Sequence, residues 1–351
     1  MPDAIWIDRD DELAGLARTL ESQAWIGVDT EFLRERTFFP KLCLLQLAAG
    51  GRIWCVDTLR IASLDPLMPA LTGAASRKVI HAARQDLEAV YLSAKCVMSP
   101  VFDTQIAAAC IGLKPQIGYA ELVKTLLNVT VPKGQTRTDW SKRPLSREQL
   151  EYAADDVAYL GEIANHLSER LRELKREQWV AEDCLALEDD KLYEPDPAQA
   201  WVRLRGLAQL APESRARAKT IAVWREKLAR VRDLPRAWIL PDAAIFSVAQ
   251  GAAPPLNDGL AANLIEALEA ASNEAWDEEP SQDARPTPEQ KALIERLGKI
   301  VDSRAAELEV SAEILAPRGE LKALAMGKRD AHALTGWRLE EIGTRLLEAI
   351  G

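Results

Sequence analysis

Three short apolar runs lie between Trp25 and Val56: WIGVDTE over 25–31, LCLLQLA over 42–48 and RIWCV over 52–56, with Gly50-Gly51 between the last two. Runs this short, rich in Ile, Val, Leu and aromatic residues, predict strands. A Gly-Gly pair supplies the two positive φ angles of a tight hairpin turn, so the second and third runs are expected to pair antiparallel. Upstream, Ala4–Ile7 reads as a further strand and Asp10–Ser22 as a helix. Downstream, Lys78–His81 reads as a strand running into a helix over Arg84–Leu92. Strands alternating with helices predict an α/β layer, and the hairpin makes its sheet mixed. From about Asp103 onward the pattern is helix or loop, with one long helix or a broken pair over Ser146–Leu187.

A chain of 351 residues predicts two or three packed units. The charged, proline-bearing stretch EDDKLYEPDP over 188–197 predicts a linker, and WDEEPSQDARPTP over 276–288 predicts a second break. The first helical block after the linker carries Ile221, Trp224, Leu228 and Val231 at helical spacing, and the second carries Leu293, Leu297, Ile300 and Val301. Ile239-Leu240-Pro241 with Ile245, Val248 and Ala249 resembles Ile314-Leu315-Ala316-Pro317 with Leu321, Leu324 and Ala325, which suggests two copies of one small helical module.

Composition removes several function classes. A net charge of -10 argues against a protein that coats nucleic acid by bulk charge. Residues 197–240, however, hold ten Lys or Arg against three acids, a local net of +7, which predicts a nucleic-acid face there. Residues 270–351, with 16 acids and 11 bases, are not expected to bind RNA by their whole surface. The five cysteines are widely spaced without a C-x-x-C pair and read as reduced core thiols, and the acidic N-terminus lacks the basic region of a signal peptide. With no apolar run long enough for a membrane span, the expected location is the cytoplasm. Three scattered histidines disfavour a zinc site, and neither a dinucleotide-binding glycine motif nor a P-loop occurs.

Carboxylates remain as the chemical groups. Period-two geometry puts Asp29 and Glu31 on one face of the strand 25–31, opposite Ile26, Val28 and Thr30. Two carboxylates held together repel unless a hard cation such as magnesium or manganese lies between them. Alone, a D-x-E is more often a solvated strand end. Asp86 falls in the first turn of the helix after Lys78–His81, where a carboxylate commonly serves the helix dipole. On the later helix, the apolar stripe is Leu150, Ala153, Val157, Leu160, Ala164, Leu167 and Leu171. At about 100° per residue, Asp156 lies about 60° from the centre of that stripe and Asp155 about 160° away. Asp155 is therefore expected to face water, and Asp156 to sit one turn beyond Tyr152 over the same site.

These positions together resemble the DEDD 3′-5′ exonucleases with tyrosine in the last motif, and among them the ribonuclease D family. The resemblance rests on Asp29-Thr30-Glu31-Phe32, on Gln85-Asp86 with Phe102-Asp103-Thr104-Gln105, and on Asp139–Leu145 leading to Tyr152 and Asp156. It continues in Ala200–Gly206, Trp224-Arg225-Glu226 and Arg232–Arg236, which look like the helicase-and-RNase-D C-terminal (HRDC) module. The implied architecture is a ribonuclease H-like mixed-sheet exonuclease domain over 1–190, an HRDC domain over 198–278 and a divergent HRDC-like domain over 285–351.

The resemblance further implies that Asp29, Glu31, Asp86 and Asp156 hold two divalent cations, Mg²⁺ or Mn²⁺, while Tyr152 orients the attacking water. By analogy Phe32 wedges against the terminal base, and Arg137, Lys142 and Arg143 reach phosphates. The expected substrate is RNA with a free 3′ end, with precursor tRNA as the family's substrate class, and the expected state is a monomer. A DNA 3′-5′ exonuclease of the same fold, a non-catalytic RNA-binding scaffold and a helicase accessory protein are the competing readings; the complete acidic motifs count against the scaffold.

Overall fold

The structure, a computed structural model, describes residues 4–132, 134, 138–271 and 286–351. Strands β1 (Ile5–Ile7), β2 (Trp25–Leu33), β3 (Lys41–Ala49), β4 (Arg52–Val56), β5 (Arg77–Ile80) and β6 (Val101–Asp103) form one sheet in the order β1-β4-β3-β2-β5-β6. Both glycines of the β3–β4 hairpin take positive φ, 56° at Gly50 and 75° at Gly51, and the strands pair antiparallel from Ala49↔Arg52. β3 is antiparallel to β2 and β4, whereas β1–β4, β2–β5 and β5–β6 are parallel. The sheet is mixed, as the hairpin required. β6, only three residues long, is too short for its sequence pattern to announce it.

On one face, Ile26 and Val28 of β2 pack with Leu13, Leu16 and Leu20 of α1 (Asp10–Glu21) and with Leu87 and Val90 of α3 (Arg84–Ala94); α2 (Met68–Thr72) adds Leu71 to the same core. The other face is covered by α4 (Thr104–Cys110), α5 (Tyr119–Leu127), α6 (Arg147–Ala158), α7 (Leu160–Leu174) and α8 (Glu177–Leu185), through Ala108, Leu122, Val157, Leu160, Ile163 and Val180. Ala153, Val157, Leu160, Ala164, Leu167 and Leu171 of the predicted stripe are all buried. The stripe crosses a break at Tyr159, where the hydroxyl of Tyr119 accepts from the Tyr159 amide at 3.2 Å and donates to the Asp155 carbonyl at 2.9 Å. A side chain inserted into the helical ladder is a known cause of such bends. Gly161 just beyond it lets the Trp25 ring approach to where a Cβ would lie 2.0 Å from it.

The chain divides into two compact units, one of Met1–Leu33, Lys41–Tyr193 and Pro286–Gly351, the other of Arg34–Pro40 and Glu194–Arg285. Their helices repeat. α9 (Pro212–Arg232), α10 (Arg236–Ile239) and α11 (Asp242–Ala249), followed by α12 (Asp258–Ala270), belong to the second unit. α13 (Pro288–Leu308), α14 (Ala312–Leu315) and α15 (Arg318–Ala325) reproduce the first three of these, residue for residue, at an offset of 76. Even the left-handed helix ends correspond, Asp233 at φ 48° with Glu309 at φ 54°. Val231 departs from expectation: it is 85 % exposed, because the buried face of α9 runs instead through Ala218, Ile221, Ala222, Arg225 and Ala229.

The 286–351 block packs within the first unit. Trp337 stacks on Trp179 at 4.1 Å between ring centroids and 8° between planes. Arg338 forms an ion pair with Asp183, and Arg176 donates to the carbonyls of Cys110 at 2.8 Å and Leu308 at 2.6 Å. Among the described residues no helix is long and apolar enough to cross a membrane. Four of the cysteines are buried thiols, but Cys96 is exposed, contrary to its reading as a core residue.

Candidate active site

β2 carries Asp29 and Glu31 on the face covered by α6, and carboxylate oxygens of Asp29, Glu31 and Asp156 all lie within 4.8 Å of one another. The β2–β5 ladder pairs residues only as far as Gly27↔Val79, and Asp29–Glu31 pair with Gln46–Leu44 of β3 on the other side. The first turn of α3 reaches the side that β5 leaves. There Asp86 is 7 % exposed and accepts a 2.5 Å hydrogen bond from Thr30 Oγ1. Asp86 stands outside the close triad but is the strongest neighbouring charge acting on Asp29.

Electrostatics show what this cluster can accept. Burial, then the charges of Asp86, Asp156 and Glu31, push the Asp29 carboxyl well above the usual range. Burial followed by Asp156 and Asp86 raises Glu31 to about 9. Burial raises Asp86 to about 7 against the opposing hydrogen bond from Thr30, and raises Asp156 to about 7 against that from Tyr152. Carboxylates brought together at this cost are the donor set that hard divalent cations accept. Tyr152, hydrogen-bonded to Asp156, is itself pushed upward by burial and by the carboxylates of Asp156 and Glu31, so its hydroxyl keeps its proton near neutral pH.

Asp155 does not join the cluster. Its side chain is partly buried rather than open to water, and burial with Glu151 raises its carboxyl. His81 uses both ring nitrogens within the protein, with Thr104 Oγ1 at 2.9 Å and the Ile117 carbonyl at 3.0 Å.

Three further residues at the site make contacts that their place in the sequence does not announce. Thr30 belongs to the strand face opposite the carboxylates, yet it anchors Asp86. Gln46, fully buried opposite Asp29 in the ladder, donates from Nε2 to Asp29 Oδ2 at 3.4 Å. The signal available for it is a lone amide in an apolar strand. Asp103 accepts from the amides of Ala82, Ala83, Gln105 and Ile106, capping α4 and holding the turn before α3, where Ala82 takes a φ of 57°.

The predicted phosphate contacts fare differently. Arg137 lies outside the described residues. Lys142 is exposed, 4.0 Å from Asp139. Arg143 is withdrawn as a phosphate contact, because its guanidinium donates to Asp57 at 2.6 and 2.7 Å and to the carbonyls of Cys43, Trp140 and Lys142, which uses its whole donor fork. Phe32 is half-buried at the irregularity of register between Glu31 and Phe32.

Much of the basic excess in the second unit is likewise internal. Arg203, Arg230 and Arg236 surround Glu226, whose side chain is 2 % exposed; burial opposes its charge, but the arginines outweigh that and hold its carboxyl below the usual range. Arg225 binds Asp242 and the Leu240 carbonyl, Arg215 binds the carbonyls of Leu207 and Leu210, and Lys219 lies 4.0 Å above the Trp201 ring. Arg205, Arg217, Lys227 and Arg232 are the remaining cations of that stretch.

A family model described as a 3′-5′ exonuclease matches residues 4–172, and one described as an HRDC domain matches residues 214–262. A ribonuclease D of Pseudomonas paraeruginosa is 33% identical over 370 residues, covering 99% of this chain and 98% of its own. A ribonuclease D of Xanthomonas oryzae pv. oryzae is 37% identical over 362 residues, covering 98% of both chains. Among solved structures, RNase D of Escherichia coli, described as an exoribonuclease involved in structured RNA processing, matches with a TM-score of 0.90 at 28% identity, covering 99% of this chain and 98% of that one.

Proposed function

This chain belongs to the ribonuclease D family, and on that premise we propose the residues, ions and substrate through which it works. It is a hydrolase, a metal-dependent 3′-5′ exoribonuclease. The observation that carries our assignment of its centre is the meeting of Asp29, Glu31 and Asp156 within 4.8 Å, beside a Tyr152 that is hydrogen-bonded to Asp156.

In this reading Asp29, Glu31, Asp86 and Asp156 hold two divalent cations, Mg²⁺ or Mn²⁺. When bound, such ions lower the pKa of water and neutralise charge developing at a scissile phosphate. The chain's own contribution is position. Tyr152, which retains its proton, orients the attacking water by hydrogen bond instead of removing its proton. Thr30 fixes Asp86, and Tyr119 fixes the bend from which Asp156 projects. The water oxygen bonds to phosphorus and gives up a proton to solvent as the bond to the preceding 3′ oxygen breaks; that oxygen takes a proton from solvent in turn, and a nucleoside 5′-monophosphate leaves.

We assign the exonuclease domain to residues 1–190, the HRDC domain to 198–278 and a second, divergent HRDC-like domain to 285–351; the offset of 76 between α9–α11 and α13–α15 supports the last of these. Precursor tRNA is the proposed substrate and a monomer the proposed state, with Phe32 against the terminal base and Lys142 near a phosphate. The test is a gel assay with Mg²⁺ on 5′-labelled 3′-extended tRNA, single-stranded RNA and matched DNA. Shortening of RNA that is lost with EDTA and in Asp29→Ala is the expected result. Equal trimming of DNA would make the enzyme a general exonuclease, and binding without cleavage would sink the catalytic assignment.

A further inference from the structure

β3 reads KLCLLQLAA, and after Lys41 its only side chain that can form a strong hydrogen bond is that of Gln46. It is fully buried, as are its neighbours Leu45 and Leu47. Gln46 stands directly opposite Asp29 in the antiparallel ladder, so the two side chains share a face of the sheet. Its Nε2 donates to Asp29 Oδ2 at 3.4 Å. Its Oε1 is buried without a hydrogen-bond partner among the described residues.

A buried acceptor left unpaired costs about 1–3 kcal/mol, and a leucine in its place would carry no such cost. Once Asp29 is ionised, as a metal ligand is, turning the amide over sets the amide oxygen against the carboxylate, acceptor against acceptor. With Asp29 ionised the orientation is fixed, and the oxygen is left for a donor that no described residue supplies. Beside a carboxylate cluster suited to hydrated divalent cations, such a donor is a water polarised by the ion, and side chains in this outer position orient the ligands that touch the metal.

We infer that Gln46 is a positioning residue of the metal centre: its amide nitrogen holds Asp29 in register, and its amide oxygen accepts from a water bound to the cation at Asp29. The inference rests on Asp29, Glu31 and Asp156 being metal ligands. It concerns the binding of the ion, so it is read without RNA.

The experiment measures Mn²⁺ affinity by titration calorimetry on the full-length protein and on the Gln46→Met, Gln46→Glu and Asp29→Asn variants, with melting temperatures recorded in EDTA. In Gln46→Met the metal-free melting temperature is unchanged or higher, because the orphan acceptor is gone, while Mn²⁺ affinity falls by about 10- to 100-fold. In Gln46→Glu, which keeps an acceptor and adds charge but loses the amide donor to Asp29, Mn²⁺ affinity falls less than in Gln46→Met. Wild-type affinity in a folded Gln46→Met protein overturns the inference, as does an equal loss in both Gln46 variants. If the wild type itself fails to bind Mn²⁺, or Asp29→Asn binds equally well, the metal-centre reading falls and takes the inference with it.

Discussion

Thr30 Oγ1 donates a 2.5 Å hydrogen bond to Asp86 Oδ1, joining β2 to the first turn of α3 across 56 residues of sequence. The bond occupies one carboxylate oxygen and leaves the other for an ion. Thr30→Val keeps the β-branched shape and removes the donor. A hydrogen bond to a charged group contributes about 1.5–3 kcal/mol, so kcat is expected to fall about tenfold or more, with KM for RNA little changed. Steady-state kinetics on a 3′-extended RNA check this, and an unchanged kcat would show that α3 places Asp86 unaided.

Asp155 and Asp156 are neighbours in unequal surroundings. Only Asp156 joins Asp29 and Glu31, and Asp155 contributes its carbonyl to Tyr119 instead. Asp156→Asn is expected to abolish cleavage with RNA affinity roughly intact, and Asp155→Asn to leave cleavage near wild type. Equal damage from both changes would refute the assignment by helical face.

Metal removal should make stability depend on pH in a defined direction. Without a cation, Glu31 titrates at about 9 and Asp86 and Asp156 at about 7, all above the usual carboxylate range. Between about pH 4, where unfolded carboxylates ionise, and those values, the folded state binds more protons than the unfolded state. Their contribution is present in full below about pH 4 and is lost as pH rises through about 7 and then about 9. Cation binding displaces those protons, so the gain in melting temperature with Mg²⁺ should grow from about pH 6 to about pH 8. Thermal melts with EDTA and with Mg²⁺ at both values test this; a gain that shrinks over the interval contradicts it.

Arg143 is expected to act on folding. Its pair with Asp57, whose side chain is 0% exposed, is lost in Arg143→Ala, leaving a buried carboxylate with the Leu59 amide but no cation, a loss of about 3–5 kcal/mol. Denaturant unfolding should register that loss, while folded protein retains its RNA affinity. Wild-type stability together with weakened RNA binding would restore the phosphate-contact role.

Trp337→Ala removes a ring that is 3% exposed and stacked on Trp179 of α8. Truncating a buried aromatic residue costs about 3–5 kcal/mol. Because both rings lie in one compact unit, the unfolding transition that reports the sheet should itself shift downward. A sheet transition that does not move would mean the 286–351 block unfolds separately.

Local pattern carried far in this chain. The hairpin glycines announced the antiparallel β3–β4 pair, and the stripe from Ala153 to Leu171 gave the buried face of α6 and α7. The same angular argument chose Asp156 over Asp155, and Tyr152 lies beside it as its spacing predicts. These readings succeeded because side-chain direction within one element depends only on its own period.

The partners of those side chains were another matter. Thr30 meets Asp86 across 56 residues, Gln46 meets Asp29 across 17, and Arg143 meets Asp57 across 86. Composition pointed to a basic face over 197–240, but folding places Arg203, Arg230 and Arg236 around Glu226, and it turns Val231 outward despite its helical spacing. The sequence by itself determined the elements, their apolar faces and the acidic residues that converge beside β2. Only the tertiary structure decided which polar groups are satisfied by one another and which are left for an ion or a substrate, because hydrogen bonds and ion pairs form between atoms that sheet order and helix crossing bring within about 3 Å, and no local period encodes that distance.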